Sequence, residues 1–121
     1  MDTFEILSQL CSAAGVSGAE GSAAEAAAKL LEKYGEVTLD NALGSVICKV
    51  GSWEDGKPVM LLDAHIDEIG MIVTYITEDG FLKISGCGGL DTRLLLAQQV
   101  TVYGKEKLTG IVTSTPPHLE K

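Results

Sequence analysis

Long hydrophobic runs are missing from this chain of 121 residues. The longest aliphatic stretches, residues 59–62 and 94–97, stop after four, which excludes a membrane-spanning helix. Basic residues are scarce as well: 9 Lys and Arg face 17 Asp and Glu, a formal charge of −8, and the isoelectric point is near 4.6. That balance leaves no electrostatic footprint for nucleic acid or an anionic membrane. Three cysteines, Cys11, Cys48 and Cys87, are odd in number and widely spaced, so neither a disulfide framework nor a Cys-x-x-Cys metal knuckle fits. They are expected to be reduced core thiols in a cytoplasmic protein. The N-terminal Met1-Asp2-Thr3-Phe4-Glu5 is acidic where a secretory signal needs positive charge. Aromatic residues make up 5%, with Trp53 the sole tryptophan, so a glycanase has nothing on which to stack a sugar, and Asp63, Asp67 and Glu68 supply its paired carboxylates only nominally. There is no Gly-x-Ser-x-Gly elbow, and Gly56-Lys57 is followed by Pro58 where a phosphate loop needs Ser or Thr.

What remains is a chain built to fold. Hydrophobic residues make up 45% and charged ones 21%, with a mean hydropathy of +0.21, enough for one compact domain or two small lobes. Phe4, Leu7, Leu10, Cys11 and Ala14 recur at helical spacing, with Asp2 and Glu5 set as a capping box and Gly15 where a left-handed C-cap falls. Ser17 and Glu20 repeat the capping-box spacing and open an alanine-rich second helix that runs to Tyr34 and closes at Gly35. The period then changes to two: a strand around Val37 and Leu39, a turn at Asn41-Ala42-Leu43-Gly44, and a strand over 45–50. Residues 51–58 form a polar loop. Residues 59–64 (VMLLDA) are apolar at consecutive positions, the pattern of a central strand covered on both faces. Beyond Gly70 the texture is β: a hairpin over 71–85 with a type I′ turn at Asp79-Gly80, a short helical turn within 91–97, and a strand pair over 98–103 and 108–114. Pro116-Pro117 ends regular structure.

One constellation stands above background: Asp63-Ala64-His65-Ile66-Asp67-Glu68, at the C-terminal end of the expected central strand. Ligands of open α/β sheets gather outside the carboxyl ends of strands. A neutral imidazole there suits zinc or cobalt, and a carboxylate two residues on can accept the other ring N–H and so choose the tautomer. His65 is therefore the candidate metal ligand and Asp67 the group that orients it. A plainer reading stands beside it, a solvated loop histidine in a local salt bridge, because a catalytic zinc needs at least three protein ligands. The second histidine, His118, lies beyond Pro116-Pro117 and reads as a loop residue. Cys87, flanked by glycines, reads as a small residue at a bend rather than a nucleophile paired with His65.

Gly15-Val16-Ser17-Gly18 before a helix, Asn41-Ala42-Leu43-Gly44-Ser45 between strands, Asp63-Ala64-His65-Ile66-Asp67-Glu68-Ile69-Gly70-Met71 and Gly88-Gly89-Leu90-Asp91-Thr92-Arg93 together carry a resemblance. In order and spacing they resemble the M42 metallo-aminopeptidases, a family of glutamyl, deblocking and tetrahedral aminopeptidases with members labelled endoglucanase. The resemblance runs across essentially the whole chain and implies an α/β fold. Residues 1–68 would be the N-terminal part of a zinc-exopeptidase α/β domain, and residues 69–121 part of an all-β inserted domain that forms a lid and mediates dimerisation. It implies that His65 binds one of two active-site zinc or cobalt ions and that Asp67 supports it. It also implies cytoplasmic exopeptidases assembled into larger shells.

Family enzymes are several hundred residues long, and their bridging aspartate, general base and remaining ligands follow the inserted domain. The expectation is an N-terminal segment of a dinuclear-metal aminopeptidase, catalytically incomplete and inactive alone, with both ions belonging to the complete enzyme and none required of this chain. The alternative is a non-catalytic oligomerisation or regulatory module derived from the same fold. Either way the chain should be partnered, by self-association or by a complementary C-terminal segment. Three buried, unpaired backbone groups on the central strand cost roughly 3–9 kcal/mol, against about 5–15 kcal/mol for the whole stability of a domain.

Overall fold

The computed structural model describes residues 2–115, so Pro116-Pro117 and His118 lie outside the described residues. The chain divides between Gly88 and Gly89 into two compact units. The first contains helices α1 (Thr3–Ser12) and α2 (Gly21–Leu31) and strands β1 (Glu36–Leu39), β2 (Val46–Lys49), β3 (Gly70–Ile76) and β4 (Leu82–Cys87). The second contains a short 3-10 turn at Thr92–Leu94 and strands β5 (Gln99–Tyr103) and β6 (Lys107–Ile111). Each strand pairs with its sequence neighbour, which makes three antiparallel two-stranded sheets: β1 with β2, β3 with β4, and β5 with β6.

Helix α1 starts as its sequence predicts. The Asp2 carboxylate accepts from the Glu5 N–H at 2.8 Å, and the Glu5 carboxylate accepts from the Asp2 N–H at 3.0 Å, so two amide donors at the helix start are satisfied reciprocally. The expected left-handed cap at Gly15 does not form. Helix α1 instead ends on Ala13 in extended conformation, and Gly15 is needed for closeness: a Cβ there would lie 2.9 Å from the Ala23 Cβ. Helix α2 also departs from expectation, starting at Gly21 with no side-chain cap on Glu20. Ser17 bonds elsewhere, and the Glu20 carboxylate accepts from the Gly18 N–H.

Among the described residues the buried hydrophobic core is small and consists of Ala23, Ala24, Ala28 and Leu30, all on one side of α2. Alanines bring this helix close to α1 and to β1–β2 at no side-chain entropy cost. Gly35 permits the tight entry into β1, because a Cβ there would overlap the Lys49 carbonyl on β2. The cysteines are free, but Cys11 is exposed and Cys48 and Cys87 are half-buried, so the expectation of core thiols fails.

The hairpins follow their local signals. Between β1 and β2 the Asp40 carboxylate accepts from the Ala42 and Leu43 N–H groups at 3.1 Å each, and Gly44 takes a positive φ of 74°. Between β3 and β4 only Gly80 takes a positive φ, 84°, so the turn is a three-residue loop rather than type I′. The Gly80 N–H donates to the Thr77 carbonyl at 3.0 Å, and the Thr77 hydroxyl accepts from the Phe81 N–H at 2.9 Å. Thr74 is the extra residue of a bulge in β3, its hydroxyl donating to the Lys83 carbonyl.

The main correction concerns residues 59–64. They form no strand: no ladder partner lies beside them among the described residues, and Met60, Leu61 and Leu62 are each more than four-fifths exposed. Apolar composition marks a segment for burial, but a β conformation needs a neighbouring backbone to bond, and here none is supplied locally. No described helix is long and apolar enough to cross a membrane.

Candidate functional site

Immediately after the bare run, the chain is tied down. The Glu68 N–H donates to the Gly15 carbonyl at 2.8 Å, and the Ser17 N–H donates to the Glu68 carbonyl at 3.3 Å, forming an isolated parallel bridge between Val16 and Glu68. The Gly15 N–H adds a bond to the Glu68 carboxylate at 3.2 Å. The loop between α1 and α2 thus grips the segment leading from His65 into β3. Gly70 lets that grip close, because a Cβ at this position would lie 2.5 Å and 2.7 Å from the two Val16 methyl groups.

Within the grip the structure brings together both residues singled out from the sequence. His65 Nδ1 lies 3.1 Å from an Asp67 carboxylate oxygen and 3.1 Å from the Asp67 backbone carbonyl. The other Asp67 oxygen accepts from the Ser17 hydroxyl at 2.6 Å. Ser17, followed by His65, holds the Asp67 carboxyl below the usual carboxylate range, since both stabilise its ionised form. Both groups facing Nδ1 are acceptors only, so Nδ1 carries a proton, and in the neutral ring the Nε2 lone pair is left free. That is the tautomer a metal ligand at Nε2 requires.

The ring is not enclosed: the His65 side chain is 86% exposed. Beside it runs an open groove of about 420 Å³ lined by Leu10, Cys11, Ala27, Ala64, Ile66 and Glu68 among others. Among the described residues, no group of three or more His, Cys, Asp or Glu side chains is arranged to hold a metal ion. His65 therefore fits as one ligand of a metal site, and the residues described here do not complete the donor set.

Sequence reasoning missed Ser17. Its spacing from Glu20 marked it as a helix cap, and its hydroxyl instead bonds a carboxylate fifty positions along the chain. The signal was present as Gly-Val-Ser-Gly, a loop with glycines on either side of the serine, but no local rule connects that loop with Asp67.

Comparison with known proteins places this geometry in context. Residues 44–121 match the M42 glutamyl aminopeptidase family. The putative aminopeptidase FrvX of Escherichia coli is 35% identical over 118 residues, covering 95% of this chain and 32% of that protein. The lysyl aminopeptidase of Pyrococcus furiosus is 28% identical, covering 100% of this chain and 35% of that protein. Among solved structures, the TET aminopeptidase of a marine sediment thaumarchaeon superposes with a TM-score of 0.84 at 34% identity, covering 98% of this chain and 33% of its own. PhTET1-12s, described as a dodecamer, superposes with a TM-score of 0.81 at 34% identity, covering 100% of this chain and 36% of its own. The chain spans about a third of the length of these relatives. With the family pattern running through the segment that carries His65, Asp67 and Gly70, the chain belongs to the M42 peptidase family.

Proposed function

We propose that this chain contributes the N-terminal portion of a metal-dependent aminopeptidase that removes residues from the free N-terminus of peptides. The observation that carries this reading is the contact between His65 Nδ1 and Asp67 inside the family-matched region, which leaves Nε2 available. In this reading residues 1–68 belong to the α/β peptidase domain and residues 69–121 to a β-rich insertion. His65 would bind one of two zinc or cobalt ions, and Asp67 would orient it. When bound, such ions polarise the scissile carbonyl and activate water. The chain's own contribution is to hold the imidazole in one tautomer at the mouth of the groove.

The segment is catalytically incomplete, because one ligand and one orienting carboxylate supply neither the remaining donors nor a general base. Partnering follows from the bare apolar run at 59–62, which calls for cover from a complementary C-terminal segment or from another copy. The description of PhTET1-12s as a dodecamer supports self-association as a property of the complete protein. The odd number and wide spacing of the cysteines fit a reducing compartment such as the cytoplasm.

The test is complementation. The 121-residue chain alone is expected to release no p-nitroaniline from amino-acid anilides with added Zn²⁺ or Co²⁺. Mixed with the C-terminal two-thirds of an M42 relative, it should do so, and His65→Ala should abolish the release. Activity of the chain alone, or activity indifferent to His65, would overturn the proposal.

A further inference from the structure

We infer that Ser17 is a positioning residue for the imidazole of His65, acting through the carboxylate of Asp67. Three observations carry this. First, the Ser17 hydroxyl donates to one Asp67 oxygen at 2.6 Å while the other oxygen faces His65 Nδ1 at 3.1 Å, so the carboxylate is held from both sides. An aspartate carboxylate turns about two side-chain bonds and, left alone in a loop, takes several orientations, of which a second anchor selects one. Second, the hydroxyl is not used for helix capping: α2 starts at Gly21, with Glu20 rather than Ser17 at its N-cap. Third, the backbone of Ser17 is itself fixed on the target segment, its N–H donating to the Glu68 carbonyl next to Asp67. Backbone and side chain of one residue thus grip two successive residues of the segment.

The consequence is a relay of orientation with no proton transfer. Ser17 fixes Asp67, Asp67 with its own carbonyl keeps the proton on Nδ1, and Nε2 stays an acceptor pointing away from both. An unrestrained neutral imidazole favours the opposite tautomer, with its proton on Nε2, where it would block a metal. The significance of the relay for catalysis rests on the reading of His65 as a metal ligand; its existence does not.

The experiment reads the His65 ring nitrogens by ¹⁵N NMR at about pH 9, above the usual imidazole range, in a His118→Gln background that leaves one ring to observe. The original chain should show the proton mainly on Nδ1. Ser17→Ala should shift the Nδ1–H to Nε2–H ratio by about 2- to 12-fold, the change expected for loss of one net hydrogen bond. Ser17→Thr should keep the original ratio and Ser17→Val should lose it, a pair that differs only in hydroxyl against methyl and so separates positioning from packing. The amide spectrum checks that each variant remains folded. An unchanged ratio in Ser17→Ala and Ser17→Val overturns the inference. Zn²⁺ alone is then added: a response of the Nε2 signal, weaker in Ser17→Ala, supports both the relay and the ligand reading. If Nε2 ignores Zn²⁺ while the ratio still depends on Ser17, the positioning role stands and the ligand reading falls.

Discussion

Residues 59–62 and strand β3 share an apolar texture and lie within a dozen positions of each other, yet they have opposite fates. Strand β3 is paired with β4 at every residue but the bulged Thr74, and β4 returns through a three-residue loop ending at Gly80. Residues 59–62 find no partner among the described residues and leave Leu62 86% exposed. The difference shows what hydrophobicity does and does not specify. Apolar side chains favour burial in general, whereas a strand also needs a second backbone within hydrogen-bonding reach, and a hairpin supplies one at little loop-closure cost.

The largest effect should appear where one residue type is compared in two settings. Leu30 is 8% exposed on the core side of α2, so Leu30→Ala should cost about 2–5 kcal/mol of unfolding free energy in a urea titration. Leu62→Ala should fall within about 0.5 kcal/mol of the original, as an exposed substitution does. Equal losses at both sites would mean that the bare run is buried in solution. Next comes Gly35→Ala, which places a methyl against the Lys49 carbonyl and should destabilise by about 1–3 kcal/mol, read by the same titration.

The comparison sharpens through amide hydrogen exchange. Paired amides of β3 should exchange at least roughly tenfold more slowly than those of residues 59–62, because only the former must first open a ladder. Adding a partner that covers the run should remove the contrast.

The smallest effect concerns the second unit. There the Arg93 guanidinium donates to the Asp91 carboxylate through Nε and Nη2 and holds its carboxyl below the usual carboxylate range, and the Arg93 backbone N–H adds to this. A lowered folded-state pKa stabilises above the ordinary carboxylate value, and the contribution fades as pH falls through the lowered one. An NMR titration of Asp91 should therefore show a depressed midpoint that rises toward the ordinary range in Arg93→Gln, with the backbone N–H at position 93 keeping part of the depression. Both groups are solvent-exposed, so the overall unfolding curve should barely change.

Much of this was readable from residue order because it is local. The capping box at Asp2 and Glu5, the alanine face of α2 and the turn at Gly44 each join residues a few positions apart, and each formed, while the chain reversal at Asp79-Gly80 formed as a three-residue loop in place of type I′. His65 and Asp67 were legible for the same reason, being two residues apart. Ser17 was misread because its cap-like spacing is a local pattern and its partner is distant. Gly15 and Gly35 were read as helix terminators, whereas each leaves room for a distant neighbour, Ala23 in one case and the Lys49 carbonyl in the other.

Residue order along this chain thus set its helices, its hairpins and the pairing of one imidazole with one carboxylate, all interactions whose partners are close along the chain. Folding in three dimensions decided which loop grips that pair, which glycines must lack a side chain and which apolar run stays bare. Those outcomes depend on backbone groups from remote parts of the chain meeting within about 3 Å, the reach of a hydrogen bond, and no short-range pattern encodes that meeting.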